Sequence, residues 1–213
     1  MVISKMSETL RFPAEWEPQS AVLMAWPHAG TDWAERLDAV QHCFARICAA
    51  ICDNQLLLLC VPDSAMERQA RLSLADAGCS MDNARFVHLP YNDTWLRDSG
   101  PITLIRANGG QCLLDFHVTA WGEKFDAGLD DEIIAELIRQ NLFPGAEHRR
   151  IDFALEGGGI ETDGAGTLLS TWHCLHERHP ELSREEITSK LETELHQSRT
   201  LWLDHGYLEG DDT

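Results

Sequence analysis

Two short stretches of the chain combine residue types suited to holding a flat cation. Trp95-Leu-Arg97-Asp98-Ser-Gly-Pro101 sets a carboxylate one turn after an indole. A carboxylate accepts two parallel N–H bonds from such a cation, and the ring face takes its charge. Arg97 could equally pair with Asp98 and make the segment a structural turn, and spacing alone leaves both readings open. Leu155-Glu156-Gly157-Gly158-Gly159 puts a second carboxylate at a strand end. Its glycines either let backbone approach a ligand or simply turn the chain. A third acidic landmark is the pair Asp211-Asp212, and Asp98, Glu156 and Asp211 are roughly 55 to 58 residues apart.

Other candidate chemistry is weaker. His173, His176 and His179 are three apart, and on a helix each step turns by about 300°, spreading the rings over more than one side. Pro180 follows at once, which predicts a loop with solvent-facing histidines and no metal centre. The seven cysteines (43, 48, 52, 60, 79, 112, 174) are odd in number, form no Cys-x-x-Cys pair and sit mostly in apolar runs. That pattern predicts buried, reduced thiols and a cytoplasmic protein.

The elements that must position these residues follow from the hydrophobic pattern. Ala21–Trp26, Leu56–Val61 and Arg85–Leu89 read as strands, the second apolar throughout and so buried on both faces. Between them lie a helix with Leu37, Val40, Phe44, Ile47, Cys48 and Ile51 on one face, and a helix from Met66 to Ala77, capped by Ser64 and closed by Gly78. Asn108-Gly109-Gly110 joins Ile102–Ile105 to Cys112–Phe116 as a hairpin. A helix with Leu129, Ile133, Ile134, Leu137 and Ile138 on one side leads to the strand Arg150–Leu155. A second hairpin turns at Asp163-Gly164, Ser183 and Glu186 form a capping box for a helix showing Ile187, Leu191 and Leu195, and Thr200–Leu203 is the last strand.

The order strand, acidic loop, hairpin, helix recurs, as in modular α/β arrays. If the modules surround an axis, their acidic loops meet at one mouth, because such loops follow strand ends; evenly spaced acidic loops can also arise by chance. No hairpin follows the last acidic loop, so the array reads as incomplete at its C-terminal side.

Composition narrows the partners. The 213 residues carry 17 Lys and Arg against 35 Asp and Glu, a formal charge of −18. That excess disfavours nucleic acid and suits a small cation or mere solubility. Apolar residues make up 44% of the chain, enough for a packed core. No apolar run is long enough to span a membrane, and Met1–Met6 is not a secretory signal.

Taken together, Phe12-Pro-Ala-Glu-Trp16-Glu-Pro, Ala25-Trp26-Pro27-His28, Asn92–Pro101, Leu155–Gly158 with Asp163-Gly164 and Thr167, and Trp202-Leu203 with Gly206 and Gly210–Thr213 resemble the agmatine deiminase family. Its nearest kin are the bacterial peptidyl-arginine deiminases. The resemblance implies a pentein-type α/β propeller of ββαβ modules around a pseudo-fivefold axis, about three of five modules being present. Residues 1–213 would then be a single deiminase domain, incomplete at its C-terminal side. It implies hydrolysis of a guanidino group to a ureido group and ammonia through a Cys thiouronium intermediate, without metal or cofactor. With agmatine the product is N-carbamoylputrescine, a step toward putrescine.

By the same resemblance Asp98 clamps the guanidinium, Glu156 pairs with the catalytic His, Trp95 is a pocket wall and Asp212 a further substrate carboxylate. Asp98 and Glu156 would face one mouth, within roughly 10 Å of each other. The family's Gly-His-x-Asp motif and its late nucleophilic Cys have no counterpart here, since neither His205 nor Cys174 stands in the matching context. The chain alone is therefore expected to be inactive. Partners implied are a small cationic guanidino substrate and a second copy in a homodimer. Alternatives are a peptidyl-arginine deiminase, or a non-catalytic guanidino-binding module of partial pentein repeats.

Overall fold

Leu56-Leu-Leu-Leu-Cys-Val61 has no polar face to offer water, and it becomes the middle strand of an all-parallel sheet. The computed structural model describes residues 9–206, so Asp211 and Asp212 lie outside the described residues. In chain order the elements are β1 (Leu10–Arg11), β2 (Ala21–Ala25), α1 (Leu37–Cys52), β3 (Leu56–Val61), α2 (Ser64–Asp76), β4 (Ala84–His88) and α3 (Leu96–Ser99). They continue with β5 (Ile102–Arg106), β6 (Gln111–His117), α4 (Ile133–Arg139), β7 (Glu147–Ala154), β8 (Ile160–Thr162), β9 (Thr167–Thr171), α5 (Trp172–Arg178), α6 (Arg184–Glu194) and β10 (Arg199–Leu203). The fold is mixed α/β, in two compact units.

One unit comprises Pro18–Gly100 and Asp126–Glu136. Its sheet runs β2-β3-β4, with α1 and α2 as the crossovers that parallel strands require. Its core holds Trp26, Ala45, Cys48, Cys52, Leu57, Leu59, Val61, Ala70 and Leu74. Helix α1 buries a stripe of small residues, Ala45, Cys48 and Cys52, whereas Ile47, expected on the inner face, is exposed. Helix α2 is capped by Asp63 and not by Ser64: the Asp63 carboxylate accepts the N–H groups of Ala65 and Met66, both at 2.8 Å.

The other unit comprises the described residues before Pro18, Pro101–Phe125 and Leu137 onward. It holds a four-stranded sheet, β1-β5-β6-β7, and a three-stranded sheet, β10-β9-β8. In both, an antiparallel hairpin is followed by a helical segment and a strand parallel to the second arm: β5-β6 then β7, β8-β9 then β10. The repeat read from the sequence is therefore present in these two sheets, while the β2-β3-β4 sheet has no hairpin. Leu104, Cys112, Leu114, Phe116, Leu155, Leu168, Leu175, Ile187 and Leu191 share one core.

Two expectations for helices need correction. Helix α4 begins only at Ile133, after one tight turn at Asp130–Glu132, and Leu129 is exposed. The Asp130 carboxylate there is bonded to the backbone of Asn92 and Asp93, so the segment belongs to a loop clasp. His173 and His176 lie in helix α5 and not in a loop, with His179 just past its end; Trp172 packs edge-on against Trp202 and under Arg184 and so anchors the helix start.

Candidate functional site

The Trp95–Pro101 segment is a tight helical turn. Leu96 and Ser99 are buried, Trp95 is 40% exposed and Asp98 is half-buried. Gly100 closes the turn because any side chain would collide: a Cβ there would lie 2.4 Å from the Leu96 carbonyl oxygen.

Around Trp95 the same unit gathers groups that sequence reading did not single out. The Trp33 ring lies 5.5 Å from that of Trp95, and its indole N–H donates to Thr94 Oγ1 at 2.8 Å. The Trp95 indole N–H donates to Asp32 Oδ2 at 3.4 Å, and Asp32 N–H donates to Asp93 Oδ2 at 2.9 Å. Asp130 Oδ1 accepts from Asn92 N–H at 2.7 Å, while Asn92 Oδ1 accepts from Leu129 N–H at 2.7 Å, a reciprocal clasp. Burial pushes the carboxyls of both Asp93 and Asp130 up, Asp130 to about 6. Two indoles beside these carboxylates form a surface that favours a cation. Asp32 and Asp93 are 61 residues apart, and only the pairing of β2, β3 and β4 draws their loops together.

Glu156 follows β7 in the other unit and is 3% exposed. Its Oε1 accepts from Thr119 N–H at 3.0 Å, Thr119 Oγ1 at 2.8 Å and Trp121 N–H at 3.3 Å. Its Oε2 accepts from Arg178 Nε at 2.6 Å. Arg178 also donates through Nη1 to the Cys174 carbonyl at 2.8 Å and to Cys174 Sγ at 3.2 Å. Thr119 and Arg178 carry no motif of their own, so only the fold makes them partners of Glu156.

The three histidines diverge. His173 pairs with Glu177 at 3.4 Å, His176 stacks on Trp172 at 4.6 Å, and His179, which is buried, stacks on Phe153 at 3.8 Å with Nε2 on the Ala154 carbonyl. The expectation of solvent-facing histidines is thus corrected for His179, whose ring fills a place against Phe153. Among the described residues no group of three His, Cys, Asp or Glu side chains could hold a metal ion. Of the cysteines, Cys43 is exposed, Cys174 half-buried and the other five buried. Burial pushes the Cys48, Cys52 and Cys60 thiols up to about 12, where the nucleophilic thiolate is scarce. No described helix is long and apolar enough to cross a membrane.

Known proteins resemble this chain along nearly all of it. The family model of the Porphyromonas-type peptidyl-arginine deiminases matches residues 11–213. Agmatine deiminase of Stutzerimonas stutzeri is 35% identical over 202 residues, 91% of this chain and 52% of that protein. Agmatine deiminase of Ectopseudomonas mendocina is 34% identical over 215 residues, 97% of this chain and 56% of that protein. Among solved structures, a C. jejuni agmatine deiminase variant with substrate bound superposes with a TM-score of 0.84 at 28% identity, covering 98% of this chain and 60% of that one. Agmatine deiminase of Enterococcus faecalis gives 0.80 at 31% identity, covering 91% and 53%. The chain spans about half the length of the curated relatives it matches.

Proposed function

The chain belongs to the Porphyromonas-type peptidyl-arginine deiminase family, and from that premise we propose that it supplies the guanidinium-holding part of an agmatine deiminase. The reaction is hydrolysis of the guanidino group of agmatine to N-carbamoylputrescine and ammonia. A Cys thiolate attacks the guanidinium carbon, ammonia leaves with a proton delivered by a His, and water then splits the thiouronium adduct. Asp98 accepts N–H bonds from the guanidinium with Trp95 and Asp212 beside it, and Glu156 orients the proton-carrying His. Carboxylates hold the cationic substrate and release the neutral ureido product.

The observation that carries this proposal is that agmatine deiminases match more than nine-tenths of the chain. The surface of Trp33, Trp95, Asp32 and Asp93 supports it by suiting a small cation. About three of five pentein modules are taken to lie within residues 1–213, as one incomplete domain. The enzyme is taken to be a cytoplasmic homodimer, the buried free thiols favouring a reducing compartment.

Residues 1–213 alone are taken to be inactive, because none of the seven cysteines stands in the family's nucleophile context and burial disfavours the thiolate of Cys48, Cys52, Cys60 and Cys174. Losing a nucleophile that acts as a unit with its base costs several orders of magnitude, roughly 10⁴ or more. The test is ammonia release from agmatine by residues 1–213 and by a chain extended to the relatives' length. Turnover by the extended chain alone is expected. Comparable turnover by both would make one of the seven cysteines the nucleophile. Preference for peptide-bound arginine would shift the assignment to a peptidyl-arginine deiminase, which the family's name favours. Guanidinium binding by both chains with turnover by neither would leave a binding module.

A further inference from the structure

Four hydrogen bonds converge on the Glu156 carboxylate, and their sources are unequal. Three donors fill Oε1, and all three come from Thr119–Trp121. Oε2 takes a single N–H from Arg178, so Oε2 is the oxygen with accepting capacity left among these contacts. Arg178 is itself fixed: its side chain is 4% exposed, and Nη1 is tied to the Cys174 carbonyl one helical turn back.

The Oε1 donors introduce a strained turn. Ala120, Trp121, Gly122 and Glu123 all have positive φ, at 46°, 60°, 84° and 64°. Only glycine adopts that region at no cost, and each of the other residues is disfavoured by about 1–2 kcal/mol. Such a run persists only where its surroundings over-determine it, and such runs cluster at functional sites. Here the determinants are visible. Thr119 Oγ1 donates to Glu156 and accepts from Gly122 N–H at 3.0 Å, and the Thr119 carbonyl accepts from Glu123 N–H at 2.7 Å. The Glu156 carboxylate is thus bonded to the turn through one oxygen and to helix α5 through the other.

We infer that Arg178 and Thr119 are positioning residues that hold Glu156 for the reaction, and that the Arg178–Glu156 pair is the brace of the left-handed turn at Ala120–Glu123. The role given to Glu156 rests on the function proposed above; the brace does not. Arg178 suits the task because a planar guanidinium can hold the carboxylate through Nε while Nη1 bonds the helix, a fork that an ammonium lacks.

The experiment has two arms. In the chain extended to the relatives' length, Arg178→Met is expected to lower kcat about 100-fold with KM little changed, as for a group misplaced by about 1 Å, and Arg178→Lys to recover part of the loss. In residues 1–213, Arg178→Met is expected to speed amide hydrogen exchange at Thr119 and Trp121 while strand amides such as Leu114 and Leu168 stay protected. A folded Arg178→Met enzyme with unchanged kcat overturns the positioning role. Unchanged exchange at Thr119 and Trp121 overturns the brace. If the unsubstituted extended chain releases no ammonia, the function proposal fails and the exchange arm still judges the brace. If Arg178→Met does not fold, Thr119→Val replaces it, with the same split between kcat and KM expected and an unchanged kcat again overturning the role.

Discussion

Burial pushes the Asp130 carboxyl up to about 6 from an ordinary 3.8, even though its Oδ1 accepts backbone N–H groups from Asn92 and Asp93. Desolvation is the larger effect, and the neighbouring charges of Asp93 and Asp126 add to it. The folded state therefore holds a proton that the unfolded chain releases earlier. Stability falls as pH rises from about 3.8 to about 6 and stays lower above that window. Asp130→Asn keeps the acceptor and cannot ionise. The difference in melting temperature between this variant and the parent should grow between pH 4 and 6 and level off by pH 7; a flat difference refutes the linkage. At this scale Trp95 and Asp98 are candidates by residue type alone, since an indole and a carboxylate in one short segment suit a cation. Asp32, Trp33 and Asp130 are not, because their partners lie 37 to 63 residues away in the chain.

Short-range elements follow the sequence closely where the deciding bonds are local. The Ser183–Glu186 capping box forms as read, with Glu186 Oε2 accepting from Ser183 N–H at 2.8 Å and Ser183 Oγ accepting from Glu186 N–H at 3.3 Å. Ser183→Ala should cost about 1 kcal/mol by losing the side-chain cap, seen as a lower urea midpoint with unchanged m-value. An unaltered midpoint would mean that packing of Ile187 and Leu191 alone holds α6. Elements decided at longer range were misread. The start of α5 depends on Trp202, thirty residues beyond Trp172. The inner face of α1 depends on which side chains the sheet can admit, and small Ala45, Cys48 and Cys52 take the place offered to Ile47.

Each of the two units has an apolar core of its own. Leu59 and Leu168 are both fully buried, one in each. Leu59→Ala should cost about 2–5 kcal/mol and speed hydrogen exchange first in β2, β3 and β4, while Leu168→Ala should do so first in β8, β9 and β10. Equal acceleration everywhere in both variants would show a single cooperative unit. At this scale the sequence by itself determined the α/β class, the hairpin–helix–strand repeat and the acidic balance. Those features rest on side-chain periodicity, turn chemistry and residue type, which are local properties of a chain. Tertiary structure alone decided that the first sheet is all parallel, that His179 is a packed ring, and that Glu156 is shared between Thr119 and Arg178. Each depends on which distant backbones lie side by side, and burying a carboxylate is tolerable only after those backbones have delivered the N–H donors that replace water.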